Sequence, residues 1–378
     1  MSDRETPPTA AYIHVPFCAH RCGYCDFTIV AGKDHLVGDY LHALELELQS
    51  LKNQRPVRTI FLGGGTPTHL NASELSQLLR LIRRWFEPVG DFEFSAEANP
   101  AGLDREKIEV LAEHGVNRIS LGVQSFDKAM LDVLERDHDA AQVEAAVALF
   151  AGKIANFSLD LIFGVPGQSY ELWRQTLARA VALEPRHIST YGLTFEKGTV
   201  FWARRAKGAL VQADDELERA MYAAAMDDLE QAGFEQYELS NFSRPGYRCR
   251  HNETYWAGHS YYGFGPGAAR YLGGRRETNH RSVATWMVRV LSGKPPVGDI
   301  DELSAADRAR ETLVVGLRRR DGVSRGGFRE ATGFEFEAIA RAAIAKHLAS
   351  GLLEQSTDGI RLTREGRFLA DSVIVDCL

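Results

Sequence analysis

The sequence predicts an α/β protein: a partial (β/α)6 TIM-like barrel followed by a small α-helical, winged-helix-like C-terminal domain. Three observations predict it. Six apolar strand-like runs alternate with helical periodicity between Tyr12 and Ala232, and strand–helix units in series demand parallel pairing with right-handed crossovers. Polar or glycine-rich features sit at or just beyond the C-terminal ends of successive strands, which a barrel gathers at one mouth and a doubly wound sheet spreads along an edge. Beyond Pro295 and Pro296 the pattern changes to helices followed by a hairpin-like run.

Taken in order, Tyr12 to Val15 is a strand ending at Pro16, and Leu36, Tyr40, Leu44, Leu48 and Leu51 recur at helical spacing. Thr59 to Leu62 is the second strand. After the loop GGGTPTH, Asn71 and Glu74 form a capping box before Leu75, Leu78, Leu79 and Ile82. Phe92 to Ala96 leads to a helix over Asp104 to His114, Arg118 to Val123 to helical segments through Phe150, and Phe157 to Ile162 to the Leu172 to Leu183 helix. His187 to Tyr191 opens the sixth unit, its helix is Asp214 to Ala232, and Phe234 to Leu239 adds a strand-like run. The glycine- and aromatic-rich stretch Ala257 to Gly274 reads as an ordered loop covering the barrel. Ala306 to Arg318, Phe334 to Ser350 and the run IRLTREG give the winged-helix pattern. The domains expected are 1–240 for the barrel, 241–298 for an extension and connecting segment, and 299–378 for the C-terminal module.

Composition narrows the function classes. With 44% hydrophobic and 25% charged residues, the 378-residue chain is a folded globular protein and not a disordered one. No run approaches the roughly 18 apolar residues of a membrane span, and MSDRETPPTA has neither an apolar core nor an Arg-rich amphipathic pattern, so a cytoplasmic location is expected. A net charge of -7 gives no whole-molecule attraction to nucleic acid or anionic lipid. Residues 301–378 hold 12 Lys and Arg against 13 Asp and Glu, so the winged-helix module reads as a packing or docking element, not a DNA reader, and Arg318 to Arg320 as a solvated helix end.

Three of the five cysteines, Cys18, Cys22 and Cys25, lie within eight positions, close enough to bring several thiolates to one metal centre. Two readings stand at this point. Zinc would need a fourth ligand from His14, His20 or Asp26; a four-iron cluster on three thiolates would leave one iron open to a small molecule. Glu97 and Asp160 sit in otherwise apolar strand runs, which marks them as functional candidates.

The run YIHVPFCAHRCGYCDF resembles the signature of radical S-adenosylmethionine (SAM) enzymes, with Tyr24 before the last cysteine. Followed by GGGTPT, SAEANP, GVQSF, LERDHD and SLDLIFGVPGQ, it is similar to the HemN/HemW family over nearly the whole chain. The resemblance implies that Cys18, Cys22 and Cys25 bind a [4Fe-4S] cluster whose fourth iron is chelated by SAM. It places Tyr12, Gly64, Gly65, Thr66, Glu97, Gln124, Arg136 and Asp160 at SAM-binding positions.

Within the family, the oxidase branch, which decarboxylates coproporphyrinogen III, carries a further cysteine two residues after the third; Phe27 stands there. That branch also has a longer segment before the first strand. The cysteine loop ending in CDF, the run HISTYGLTFEKGT and the motif HNETYW instead resemble the branch of heme chaperones. The resemblance therefore implies heme as a bound group, a heme-acceptor protein such as a membrane-bound respiratory enzyme as partner, peripheral membrane contact only through that partner, and a reductant for the cluster. Nucleic acid is not an expected partner. His251, beside Tyr255 and Trp256, is the heme-ligand candidate; the alternative is a structural histidine capping the last strand, with the aromatics as core. His259, His280 and Cys249 are weaker candidates. No catalytic residue is assigned. The other function classes open at this stage are the porphyrinogen oxidase and a winged-helix regulator that senses redox state through its cluster.

Overall fold

The computed structural model describes residues 7–378; the first six residues of the N-terminal run read above for a targeting signal lie outside the described residues. On β1 (Ala10–Val15) alternate residues Ala11, Ile13 and Val15 enter the hydrophobic core, which leaves Tyr12 and His14 on the opposite face. A short parallel pair, β2 (Phe17–Cys18) with β3 (Val30–Ala31), closes the base of the cysteine loop. Then come α1 (Val37–Leu48), β4 (Arg55–Gly64) and α2 (Ala72–Trp85). Asn71 accepts from the Glu74 N–H and Glu74 from the Asn71 N–H, the capping box expected from the sequence.

The series continues through β5 (Phe86–Ala98), α3 (Arg105–Glu113), β6 (Arg118–Gln124), α4 (Lys128–Val133), α5 (Ala140–Phe150), β7 (Asn156–Phe163), α6 (Tyr170–Ala182), β8 (His187–Gly192), α7 (Val200–Ala206) and α8 (Asp215–Gln231). The strands β1, β4, β5, β6, β7 and β8 are parallel neighbours in that order, as six strand–helix units require. At one edge β9 (Glu235–Gln236) and β10 (Asn241–Ser243) pair antiparallel. After α9 (Arg250–Trp256), β11 (Tyr262–Phe264) pairs parallel with β1 at the other edge. Residues from the ends of β4, β5, β6, β7 and β8 line one common cavity, so the sheet curls as a partial barrel.

The stretch Ala257 to Gly274 is thus more than a covering loop. It contains β11, and β12 (Ala269–Leu272) forms an antiparallel sheet with β13 (Arg275–Asn279) and, after α10 (Val283–Leu291), β14 (Val297–Glu302). Tyr262 and Phe264 pack against Phe86 in the main core, which is what draws this short segment into the sheet.

The C-terminal module comprises α11 (Ala305–Leu317), β15 (Val323–Ser324), α12 (Arg325–Thr332), α13 (Phe336–Ala349), β16 (Leu353–Gln355), β17 (Gly359–Leu362), α14 (Arg364–Phe368) and α15 (Ala370–Cys377). It has its own core, with Leu313, Phe328, Phe336, Ile344 and Val373, which Leu239 of the barrel segment joins. Phe368 packs edge-on to Tyr222 at 5.6 Å and lies under the Arg219 guanidinium at 4.2 Å, and Arg219 also pairs with Glu365. Among the described residues no helix is long and apolar enough to cross a membrane.

One buried carboxylate holds β11 and β13 to the barrel. Glu47 of α1 accepts from the Gly265 N–H at 2.9 Å, the Asn279 amide at 2.7 Å and the Trp286 indole at 3.1 Å. Burial pushes its carboxyl up to about 7, against the opposing pull of the Gly265 N–H and the Asn279 amide. Glu47→Ala would leave three buried donors without an acceptor, so it is expected to lower the unfolding free energy by about 3 kcal/mol in chemical denaturation. Glu45→Ala, on the exposed side of the same helix, is expected to stay within about 0.5 kcal/mol.

Candidate functional site

The cysteine loop is anchored at its root by backbone alone. The N–H groups of Gly65 and Thr66 donate to the carbonyls of Val15 and Phe17, both at 2.8 Å, so the end of β4 is stitched to the strand that launches the loop. A Cβ on Gly65 would lie 2.7 Å from both the Phe17 and Val15 oxygens, and one on Gly64 (φ +107) would lie 2.2 Å from the His14 ring. These glycines are therefore required by protein packing first, whatever else approaches them. Farther along, the Phe201 N–H donates to the Gly23 carbonyl at 2.9 Å, the Cys25 N–H to the Cys22 carbonyl at 3.1 Å, and Arg281 to the Asp26 carbonyl at 2.7 Å.

Cys18, Cys22 and Cys25 all face a cavity of about 750 Å³ at the C-terminal end of the sheet, as do Gly64, Gly65, Thr66, Glu97, Gln124, Arg136 and Asp160. Residues as far apart as Cys18 and Asp160 are thus brought to one chamber. Burial pushes the Cys18 thiol up to about 11, partly offset by the Thr66 hydroxyl 3.5 Å from its sulfur. Burial also raises the Cys25 thiol. Metal binding at these thiols would therefore release protons. The Arg136 guanidinium reaches Cys22 Sγ at 3.6 Å and bridges Asn99 Oδ1 at 3.1 Å and the Gly122 carbonyl at 3.0 Å, while its buried Nε has no partner.

Glu97 accepts from the Gly64 N–H at 2.9 Å; burial, reinforced by the neighbouring Asp160 charge, raises its carboxyl to about 8. Asp160 receives the Ser120 hydroxyl at 2.9 and 3.1 Å and Ser158 at 3.4 Å, yet burial still raises its carboxyl. Gln124 ends β6 in the left-handed region (φ 62), a strained geometry of the kind found where a side chain is aimed by its surroundings. Such a chamber, with carboxylates, a guanidinium and three thiols, suits a small zwitterion held against a metal centre. Three thiols on one loop match the donor set of a four-iron cluster with one open iron. Among the described residues no group of three or more His, Cys, Asp or Glu, the three cysteines included, is gathered closely enough to hold a metal ion.

Some candidates lie elsewhere. Tyr12 does not line this chamber: its ring stacks on Phe61 and its hydroxyl meets His14 Nδ1 at 3.0 Å. His14, a possible fourth zinc ligand in the sequence, also has Nε2 against the Thr28 carbonyl at 2.7 Å, and burial lowers its pKa to about 4. Neither nitrogen is open to a metal. His251 is 1% exposed, with Nδ1 bonded to the Thr59 hydroxyl at 2.9 Å, Nε2 to the Tyr255 hydroxyl at 2.8 Å, and its ring stacked on Phe61. It lies within α9 against β4 and caps no strand, and in this arrangement neither ring nitrogen is free for heme iron. Cys249, equally buried, reaches Glu93 at 3.6 Å and not the chamber.

Sequence reasoning missed Asn99, Ser120, Tyr191 and the C-terminal residues Arg318, Arg367 and Phe368, which also line the chamber. Ser120 was legible in principle, as a polar residue in inward register with Asp160 on the adjacent strand. The arginine triplet is not a solvated helix end: Arg318 lies 4.8 Å over the Trp256 ring and approaches Glu238, and Arg319 forms a backbone bridge with Glu238.

Gly65→Ala is expected to displace the root of the cysteine loop and to cost about 2 kcal/mol or more of stability, read by denaturation together with lower iron and sulfide uptake on reconstitution. Gly38→Ala, within α1 where a Cβ meets nothing within 4 Å, is the control, expected to raise stability by about 0.5 to 1 kcal/mol and leave iron uptake unchanged.

Residues 12–180 match the radical SAM superfamily and residues 303–369 the HemN C-terminal domain. The heme chaperone HemW of Bacillus subtilis is 37% identical over 370 residues, covering 96% of this chain and 97% of that protein. That of Escherichia coli is 34% identical over 381 residues, covering 98% of each. The solved structure of coproporphyrinogen III oxidase (HemN) from Escherichia coli, a radical SAM enzyme, has a TM-score of 0.86 over 98% of this chain and 90% of its own, at 24% identity, a likeness of fold. The cysteine loop, the chamber at the sheet's C-terminal edge and the full-length relatives together make this chain a radical SAM protein that belongs to the HemW family.

Proposed function

We propose that this protein is a heme chaperone, binding heme and handing it to an acceptor protein, with a [4Fe-4S] cluster on Cys18, Cys22 and Cys25 and SAM at the open iron. The observation that carries the reading is the full-length similarity to proteins named heme chaperone HemW, which spans both the barrel and the C-terminal module.

In this reading Cys18, Cys22 and Cys25 would hold the cluster, which when bound and reduced would supply an electron to the sulfonium of SAM. The chain's own residues do the rest. Glu97 and the Gly64 to Thr66 edge receive the amino-acid end of SAM, Asp160 accepts from its ribose hydroxyls, and Gln124 fixes its orientation. Arg136 donates to the Cys22 sulfur and would pair with a carboxylate in the chamber. Phe368 and Arg367 of the C-terminal module help wall the chamber from water.

The likeness of fold to HemN favours a second reading, an oxygen-independent coproporphyrinogen III oxidase. Phe27 speaks against it: the ring is 56% exposed at the chamber, where that branch carries a fourth cysteine. After anaerobic reconstitution the protein is expected to bind heme near one to one by absorbance titration and to leave coproporphyrinogen III with SAM unconverted. Turnover to protoporphyrinogen without specific heme binding would overturn the chaperone reading.

SAM affinity is expected to depend on pH through Glu97. Burial raises its carboxyl to about 8, so the accepting charge appears as pH rises through that value, while an α-amino group loses its proton over the same range. Affinity measured by calorimetry is therefore expected to peak near pH 8. Glu97→Gln should weaken binding by roughly tenfold at that pH and remove the loss toward pH 6.5.

A further inference from the structure

The chamber described above is not the only cavity with ligand chemistry. A second, of about 810 Å³, lies between the segment following α9 and the faces of α11 and α12. A third, of about 380 Å³, shares Trp256, Gly258, His259, Tyr271 and Thr312 with it, so the two adjoin along one seam. His259 stands on that seam. Its side chain is exposed, and among the described residues no hydrogen bond or ion pair occupies its ring nitrogens, in contrast to His251.

The larger cavity is lined by Arg308 and Arg319 and by no acidic side chain, in a chain of net charge -7. Both arginines are half-buried, and among the described residues neither has an ion pair. Neighbouring arginines are paired: Arg276 with Glu311 at 2.6 Å and Arg310 with Asp307 at 2.7 Å. Half-buried guanidiniums without partners call for an anion, and planar carboxylates suit them best. Trp256, Tyr271 and Phe328 supply flat apolar wall, and the buried indole N–H of Trp256 also has no partner. Arg308, Thr312, Gly316 and Arg319 share one face of α11 and its end, with small residues between the two cations, so the floor is flat.

An open imidazole, aromatic walls and unpaired guanidiniums around one groove are the complement of an iron porphyrin with its carboxylates. Resting on the heme-chaperone reading, we propose that this groove is the heme site, with His259 ligating the iron, Trp256 and Tyr271 packing on the macrocycle, and Arg308 and Arg319 receiving the propionates. The iron–nitrogen bond forms by displacing an iron-bound water, with no change of oxidation state. Partial desolvation where the ring meets the groove, and secondarily the Arg319 charge, lower the pKa of His259 below its ordinary value, which favours the neutral imidazole that coordinates iron. The groove lies apart from the cysteines, so heme and SAM would bind together.

The test is a heme titration, followed in the Soret region, of the full-length reconstituted protein and of His259→Ala, His259→Met, His251→Ala and the double variant Arg308→Ala/Arg319→Ala. Iron and sulfide content and circular dichroism of each verify folding. His259→Ala is expected to change the spectrum and weaken heme by about tenfold or more, and His259→Met to retain binding with a shifted spectrum. The arginine variant should weaken heme by roughly tenfold yet bind heme dimethyl ester as the wild type does. A folded His259→Ala variant with wild-type spectrum and affinity would overturn the proposal, as would arginine variants with unaltered affinity for heme. Heme binding intact in that variant but lost in His251→Ala would leave the chaperone reading standing and this site refuted. No heme binding by the wild type would remove both.

Discussion

The stitch between the end of β4 and the root of the cysteine loop is the constraint on which the rest of the site depends. Two backbone donors, Gly65 and Thr66, meet the carbonyls of Val15 and Phe17, and the space between them admits no Cβ. Through that contact the three thiols are held against the mouth of the barrel, and not on a free loop. The same β4 edge gives Glu97 its hydrogen bond from Gly64. One stretch of close-packed backbone therefore sets both the metal-binding loop and the first carboxylate of the chamber, a rigid support of the kind that precise ligand placement needs.

The C-terminal module completes the structure in two ways. Its α14 end walls the chamber through Arg367 and Phe368, and its α11 face forms one side of the groove that carries His259. The module is thus shared between the two sites. Its balanced charge, with arginines engaged by Glu238, Glu230, Glu335 and Glu337, matches a packing role.

Much of this was legible in sequence. The six-unit parallel sheet followed from the alternation of strand and helix periods, the capping box from Asn71 and Glu74, and the convergence of the cysteines, Glu97, Gln124 and Asp160 from their place at strand ends; Arg136, between α4 and α5, was reached only through the family resemblance. What stayed hidden depended on non-local contact. β11 is three residues with a central glycine, and its partner β1 lies some 250 positions earlier, so no local period announces it. Tyr12 faces Phe61 and His14 because of the pleat of β1, and no motif specifies which neighbour fills that face. His251 looked like a ligand beside two aromatics, yet Thr59 and Tyr255 occupy its nitrogens. A histidine's availability is decided by partners that only the fold brings, and the freer one, His259, lies eight residues on.

The central claim is that the three cysteines carry a cluster with one iron open to SAM. It is tested most directly by electron paramagnetic resonance of the anaerobically reconstituted and reduced protein, recorded with and without SAM. The account predicts a [4Fe-4S] signal that changes on adding SAM and is lost in Cys18→Ala. A protein that takes up zinc in place of the cluster, or a cluster signal indifferent to SAM, would contradict it.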